Sequence, residues 1–214
     1  SFSQNTSYKL SKRTRRLCIP CHKENAYMNW LQKISQALPP LQAYKNMQEP
    51  NDKELADEFD YEVAGSFRDG TYTQRWPGMR QPPLCFRDVN SFISAVRAAP
   101  IVVLNEQQII KVYNYKEPQR AVNDRLSGKD ANQGNEESFG EMPNKNFGDL
   151  PAAEDGKDKL GSYRHKLDVV RRNDPISYPI LINFNGQLCH VTAGTRQAAA
   201  IACGFVLPVK VLEA

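Results

Sequence analysis

Tyr178-Pro-Ile-Leu-Ile-Asn-Phe184, Asn185-Gly186, Gln187-Leu-Cys-His-Val-Thr192, Ala193-Gly194-Thr195-Arg196, the alanine-rich Gln197–Cys203, Gly204 and Pro208-Val-Lys-Val-Leu-Glu213 follow one another near the end of the chain. The order reads as strand, turn, strand, glycine loop, helix and strand. Asn-Gly between two apolar runs signals a hairpin, because both residues tolerate positive φ. Ile180, Ile182 and Phe184 share one strand face and Leu181 takes the other, so both faces are expected to be at least partly buried. After Thr192 the period changes from two to helical. Ala198, Ala199, Ala200 and Ala202 favour a helix and let it lie close to a sheet. Gly204 stands where a left-handed C-cap belongs, and Pro208 cannot extend the helix.

A glycine and an arginine at the start of a short helix, reached directly from a strand, form an anion pocket. The first amides of a helix lack partners and carry partial positive charge, and arginine adds a forked donor. Read from the residues alone, Gly194 serves equally well as the turn of a ββαβ packing unit. His190 alternates with Cys189 on the entering strand, so one of the two faces the pocket. His190 is the candidate base, beside the plainer reading of a packed strand histidine.

These residues resemble the signature of the ParB/sulfiredoxin-like superfamily, over roughly residues 160–214. The shared features are the Pro-Ile-Leu-Ile strand, Asn-Gly, the Ala-Gly-Thr-Arg loop, the alanine helix and the Gly … Pro-Val exit. Tyr163, Leu167 and Val170 at i, i+4, i+7 suit the amphipathic helix that precedes the pocket strand in that family. The resemblance implies an α/β (α+β) mixed sheet with helices whose loop binds nucleotide phosphates, ATP or CTP. In phosphoryl transfer at such a loop a Mg²⁺ ion would offset charge. Carried over by position, Gly194, Thr195 and Arg196 bind phosphate, and Thr192 and Ala193 supply backbone. A second family motif that touches nucleotide is matched loosely by Glu117-Pro118-Gln119-Arg120, which makes Gln119 and Arg120 candidates. Thr195 stands where sulfiredoxins carry their catalytic cysteine, so cysteine-sulfinate repair is not expected. Partition proteins carry a second arginine and a longer basic helix where this chain has Gln197 and alanines.

The chain has 214 residues, a formal net charge of +4 and 40% hydrophobic residues. Its length suits one domain with a large insertion, or a domain plus a smaller one. No apolar run approaches the length of a membrane span, and the first residues do not read as a signal peptide. An odd count of five cysteines suits reduced thiols, and the expected location is cytoplasmic. Lys9, Lys12, Arg13, Arg15 and Arg16 form a basic cluster fit for DNA phosphates, or else a solvated tail. A second basic group, Arg164, His165, Lys166, Arg171 and Arg172, falls on the helix before the pocket strand.

The expected organisation is a basic tail over 1–24, a helical and loop-rich extension over 25–83, and the α/β domain over 84–214. Tyr27, Trp30, Leu31, Ile34 and Leu38 are spaced for one helix face, and helix-forming sequence runs on to about Val63. Residues 65–83 read as irregular loop. Asp88 is a plausible N-cap for a helix carrying Val89, Phe92, Ile93 and Val96. Ile101–Leu104 and Ile109–Tyr115 read as strands. Residues from about 116 to 159 are poor in large apolar groups and read as a long polar insertion.

Cys18-Ile-Pro-Cys21-His22 fits covalent haem attachment or a redox pair on paper, yet incidental cysteines are the commoner case. The cysteines otherwise make no zinc set, and no metal ligands are assigned. Trp76 is read as a core or loop anchor before a base-stacking residue. Together these features, the resemblance included, lead to the expectation of a nucleoside-triphosphate-binding ParB-like protein that acts on or near DNA. Phosphoryl transfer or NTP hydrolysis in phage or mobile-element DNA metabolism or modification would be its setting. The rivals are a ParB-like nuclease, a non-enzymatic DNA-binding or regulatory module, and a small-molecule kinase.

Overall fold

A computed structural model of the chain describes residues 39–140 and 159–214. The basic cluster Lys9, Lys12, Arg13, Arg15 and Arg16, the helix expected around Trp30, and Cys18, Cys21 and His22 lie outside the described residues, as does the stretch 141–158.

Short strands β1 (Gln42–Ala43) and β2 (Met47–Gln48) lead into α1 (Asp52–Glu58), which continues as a π-helix over Phe59–Ala64 and as α2 (Gly65–Arg68). Then come α3 (Tyr72–Arg75), α4 (Val89–Ala98), β3 (Ile101–Val102), α5 (Glu106–Lys111), α6 (Lys116–Leu126), α7 (Gln133–Gly140) and α8 (Lys159–Arg171). The chain closes with β4 (Ile176–Ser177), β5 (Ile180–Phe184), β6 (Gln187–His190), α9 (Gly194–Ala202), β7 (Phe205–Val206) and β8 (Val209–Glu213).

The fold is mixed α/β. The main sheet has the order β3-β8-β5-β6; β5 and β8 run parallel, while β3 and β6 are antiparallel to their neighbours. Asn185 and Gly186 take positive φ, 51° and 78°, as the tight primed hairpin turn requires. Gly204 ends α9 with φ 84°, the left-handed exit its position implies.

Helices cover both sheet faces. On one face Leu181, Val209 and Val211 meet Ala198, Ala199 and Ile201 of α9, Ala121, Val122 and Leu126 of α6, and Tyr163 and Leu167 of α8. On the other, Ile180, Ile182 and Leu212 meet Leu55, Phe59, Val63, Trp76, Phe86, Phe92 and Val96. The period-two alternation of the strand β5 therefore decides which half of the core each side chain enters.

Four expectations need correction. Ile109–Tyr115 is not a strand. Asn105 and Gln108 form a reciprocal capping box, each side chain 2.9 Å from the other's backbone nitrogen, and that box starts α5 despite its β-branched residues. Only Tyr113 keeps a strand-like bridge, to Cys189. The described part of 116–159 is not loop either. In α6, Pro118, Ala121, Val122 and Leu126 are buried and spaced along one helical face, but three of the four are small enough to hide the pattern. Phe139 of α7 is in the same core. Finally, residues 52–79 of the expected helical and loop-rich extension belong to the core of the α/β domain, because Leu55, Val63 and Trp76 are fully buried under the sheet. Short helices also replace part of the loop expected over 65–83.

Two further expectations hold. Asp88 caps α4 by accepting from the Ser91 amide at 2.8 Å, and Tyr163, Leu167 and Val170 are buried together along α8. Among the described residues no helix is long and apolar enough to cross a membrane.

Candidate functional site

β6 delivers the chain to α9 through Val191 and Thr192, whose amides both donate to the Ile180 carbonyl at 3.1 Å. Ala193 then adopts a left-handed conformation, φ 65° and ψ 28°. An alanine there costs on the order of 1 kcal/mol, and the reversal starts the helix directly at the strand end. Gly194 is needed for a different reason. Its φ is not positive, but a β-carbon placed on it would lie 3.2 Å from Glu117 Oε2 and 3.4 Å from His190 Nε2. Close approach, not turn geometry, selects glycine here.

The first turn of α9 therefore faces Glu117 and His190. The Gly194 amide donates to His190 Nε2 at 3.2 Å, which makes this nitrogen the acceptor in the ring and caps one of the helix's orphan amides. The ring centre lies 5.0 Å from that of Tyr115, and Trp76 Nε1 donates to the His190 carbonyl at 3.1 Å. The nitrogen that would serve His190 as a base is the one engaged in this cap.

Arg196 turns toward α1. Its guanidinium pairs with Glu54 at 3.0 Å and with Glu58 more closely still, and lies 3.4 Å from the Ser177 carbonyl. The Arg196 side chain is only 14% exposed. The seat expected to be open to phosphate is thus filled by two carboxylates. Ser177 Oγ donates to the other Glu54 oxygen at 3.0 Å, and the buried Thr192 hydroxyl stands near Glu58 without a hydrogen-bond partner of its own. The second oxygen of Glu58 is buried without a hydrogen-bond partner.

Burial sets the charge states. It raises the Glu58 pKa above the ordinary carboxylate value, Arg196 pulls it back down, and the neighbouring Glu54 charge raises it again. Lys166 of α8 also borders this cluster. Its pKa is lowered by burial first and by Arg196 second, with Glu54 opposing.

Behind the first turn lies a set of unmatched polar groups. Gln197 is fully buried and neither atom of its amide finds a partner. Tyr115 is fully buried with a partnerless hydroxyl, and burial pushes its pKa upward. Each unsatisfied buried group costs about 1–3 kcal/mol.

Of the expected site residues, Thr192, Ala193, Gly194, Thr195, Arg196 and His190 do share one corner. Gln119 and Arg120 do not reach it. Gln119 Nε2 donates to the Ile110 and Val112 carbonyls at 2.8 and 2.7 Å, tying α6 to the turn before it. Arg120 bonds Asn135 Oδ1 of α7 at 2.9 Å. Their polar heads are committed to packing the helices. From that motif it is Glu117 that stands against Gly194.

Glu54, Glu58, Tyr115 and Gln197 were not among the expected site residues, and Lys166 was expected only as part of a basic helix face. The one available signal was Glu54 and Glu58 at i, i+4, a like-charge pair that is unfavourable on a helix without a cation between them. Arg164 and Arg171 of α8 and Arg172 just after it pair with Glu136, Asp168 and Asp174, so three members of that basic group are held in ion pairs.

Among the described residues no group of three or more His, Cys, Asp or Glu side chains is placed to hold a metal ion. An open groove of about 400 Å³ lined by Lys111, Tyr113, Asn114, Lys116 and Gln187 meets the candidate residues only at Gln119. Comparison of the chain with family models, with curated proteins and with solved structures returns no match in any of the three.

Proposed function

We propose that the corner formed by the first turn of α9 is a nucleotide-binding site, holding the phosphates of a nucleoside triphosphate such as ATP or CTP. The observation that carries this reading is a helix N-terminus and a guanidinium set beside fully buried polar groups, Gln197 and Tyr115, that have no partner. Polar groups kept out of water without partners are costly unless a ligand completes them. The amides of α9 and Arg196 suit phosphate oxygens, and the Gln197 amide offers a donor and an acceptor at once.

Mg²⁺ fits here as a companion of the phosphates and not as a resident ion. It binds through one or two carboxylates plus phosphate oxygens, and Glu117 is the carboxylate nearest Gly194. With nucleotide and metal in place, positioning and charge neutralisation suit phosphoryl transfer or hydrolysis. The basic residues Lys9, Lys12, Arg13, Arg15 and Arg16 would bring this chemistry to DNA, in line with the ParB-like resemblance of the last part of the chain.

Titration calorimetry of the full chain with ATP, CTP, GTP and ADP, each with Mg²⁺, tests the reading. Binding of at least one nucleotide, lost in Arg196→Ala, is the expected result. No heat with any of the four overturns it.

A further inference from the structure

We infer that Glu54 and Glu58 act as an internal substitute for the ligand's phosphate, closing the seat until a dianionic phosphoryl group displaces them. The inference rests on the nucleotide-binding reading and adds to it how the site is regulated.

Three observations support competition over a purely structural salt bridge. First, two carboxylates converge on one guanidinium, which is more negative charge than Arg196 neutralises. Second, the pairing is incomplete, since the second Glu58 oxygen is buried with no partner. A buried ion pair stabilises a fold only when its remaining lone pairs are satisfied. Third, the groups around the carboxylates form a donor set suited to phosphate: the Arg196 guanidinium, the Ser177 hydroxyl on Glu54, the Thr192 hydroxyl beside Glu58, and the Lys166 ammonium nearby. Charge-assisted donors of this kind bind carboxylate and phosphate oxygens alike.

The architecture lets the plug yield without unfolding. Leu55 and Phe59, on the same stretch of helix, stay fixed in the core. Arg75 holds the helix beyond them through the Glu62 carboxylate and Ser66. The Glu54 side chain is already 31% exposed and that of Glu58 16%. Rotation of these two side chains toward water frees Arg196 while the helix stays in place. The turn at which Glu58 stands passes into a π-helix at Phe59, a local widening common at functional sites.

The test measures affinity for pyrophosphate and for ATP, by calorimetry on the full chain, in four proteins. The plug predicts that Glu54→Gln/Glu58→Gln binds at least tenfold tighter than the unaltered chain, and that adding Arg196→Ala removes the binding. Asp57→Asn/Asp60→Asn changes the same charge at exposed positions of the same segment and is expected to leave affinity unchanged. Equal affinity in the Gln variant and the unaltered chain, with binding still dependent on Arg196, overturns the plug and leaves the site reading intact. An equal gain in the Asn control also overturns it, because general electrostatics would then explain the effect. Absence of binding in every protein overturns both. Glu54→Gln alone, at the more exposed position, is expected to give a gain of about threefold, and serves if the double variant folds poorly.

Discussion

Residues 176–213 build most of the main sheet and residues 52–79 pack on one of its faces, and their sequences relate to their structures in opposite ways. In the first stretch each element is specified by neighbours in sequence: Asn185-Gly186 turns the hairpin, alanines build α9 and Gly204 ends it. In the second, the helix from Asp52 to Arg68 carries an acidic outer surface, and its place is fixed by Leu55, Phe59, Val63 and Trp76 reaching β-strand side chains more than a hundred residues away. The lesson is that the site needs both. The hairpin segment supplies the first turn of α9 with Arg196, and the distant helix supplies the two carboxylates that pair with it.

The largest expected effect tests whether the 52–79 region is part of the core. Trp76 is fully buried and its indole donates to the His190 carbonyl. Trp76→Ala should cost about 3–5 kcal/mol by urea unfolding. A loss below about 1 kcal/mol, the level of an ordinary surface change, would return this region to an extension outside the core.

Arg196 links the two regions directly. Arg196→Ala leaves two carboxylates facing each other and should destabilise by about 2–3 kcal/mol, below the full buried-pair range because Glu54 is partly exposed. Combining it with Glu54→Gln/Glu58→Gln should restore most of that loss. Simple additivity of the two changes would show that the pairing contributes nothing specific.

A smaller effect appears as pH dependence. The Glu58 pKa is raised in the folded state, chiefly by burial, so the folded protein binds more protons than the unfolded chain. Its contribution to stability is complete below the ordinary value of 4.5 and is lost as pH climbs through the raised folded value. Glu58→Gln should flatten this decline in melting temperature across that window. An unchanged slope in the variant would remove Glu58 as its source.

The smallest effect sharpens the claim of local specification in 176–213. Gly204 has φ 84° with open space where a β-carbon would go, so Gly204→Ala meets only backbone strain, about 1 kcal/mol. A neutral result in thermal unfolding would mean that packing, not the cap, ends α9.

Legibility in the sequence followed the range of the interactions. The Asn-Gly hairpin, the Asp88 cap and the Tyr163, Leu167, Val170 face were readable because each rests on residues within a turn or two. The strand expected at Ile109–Tyr115 failed because β-branched composition was weighed over the Asn105–Gln108 capping box. Helix α6 was missed because Pro118, Ala121 and Val122, three of its four buried residues, are small. At the site, the loop from Thr192 to Arg196 was visible, whereas Gln119 and Arg120 were given a binding role that their hydrogen bonds assign to helix packing. Glu54 and Glu58 had no local mark beyond their like-charge spacing.

The sequence alone determined the order strand, turn, strand and alanine helix with its left-handed exit at residues 180–204, because turn chemistry and periodicity act through bonds and neighbours a few residues apart. Only the tertiary structure decided what the Arg196 guanidinium meets, since that depends on α1 being drawn over the sheet by Leu55 and Trp76. Long-range burial places the two carboxylates there, and no short-range pattern encodes which distant charge a folded arginine will face.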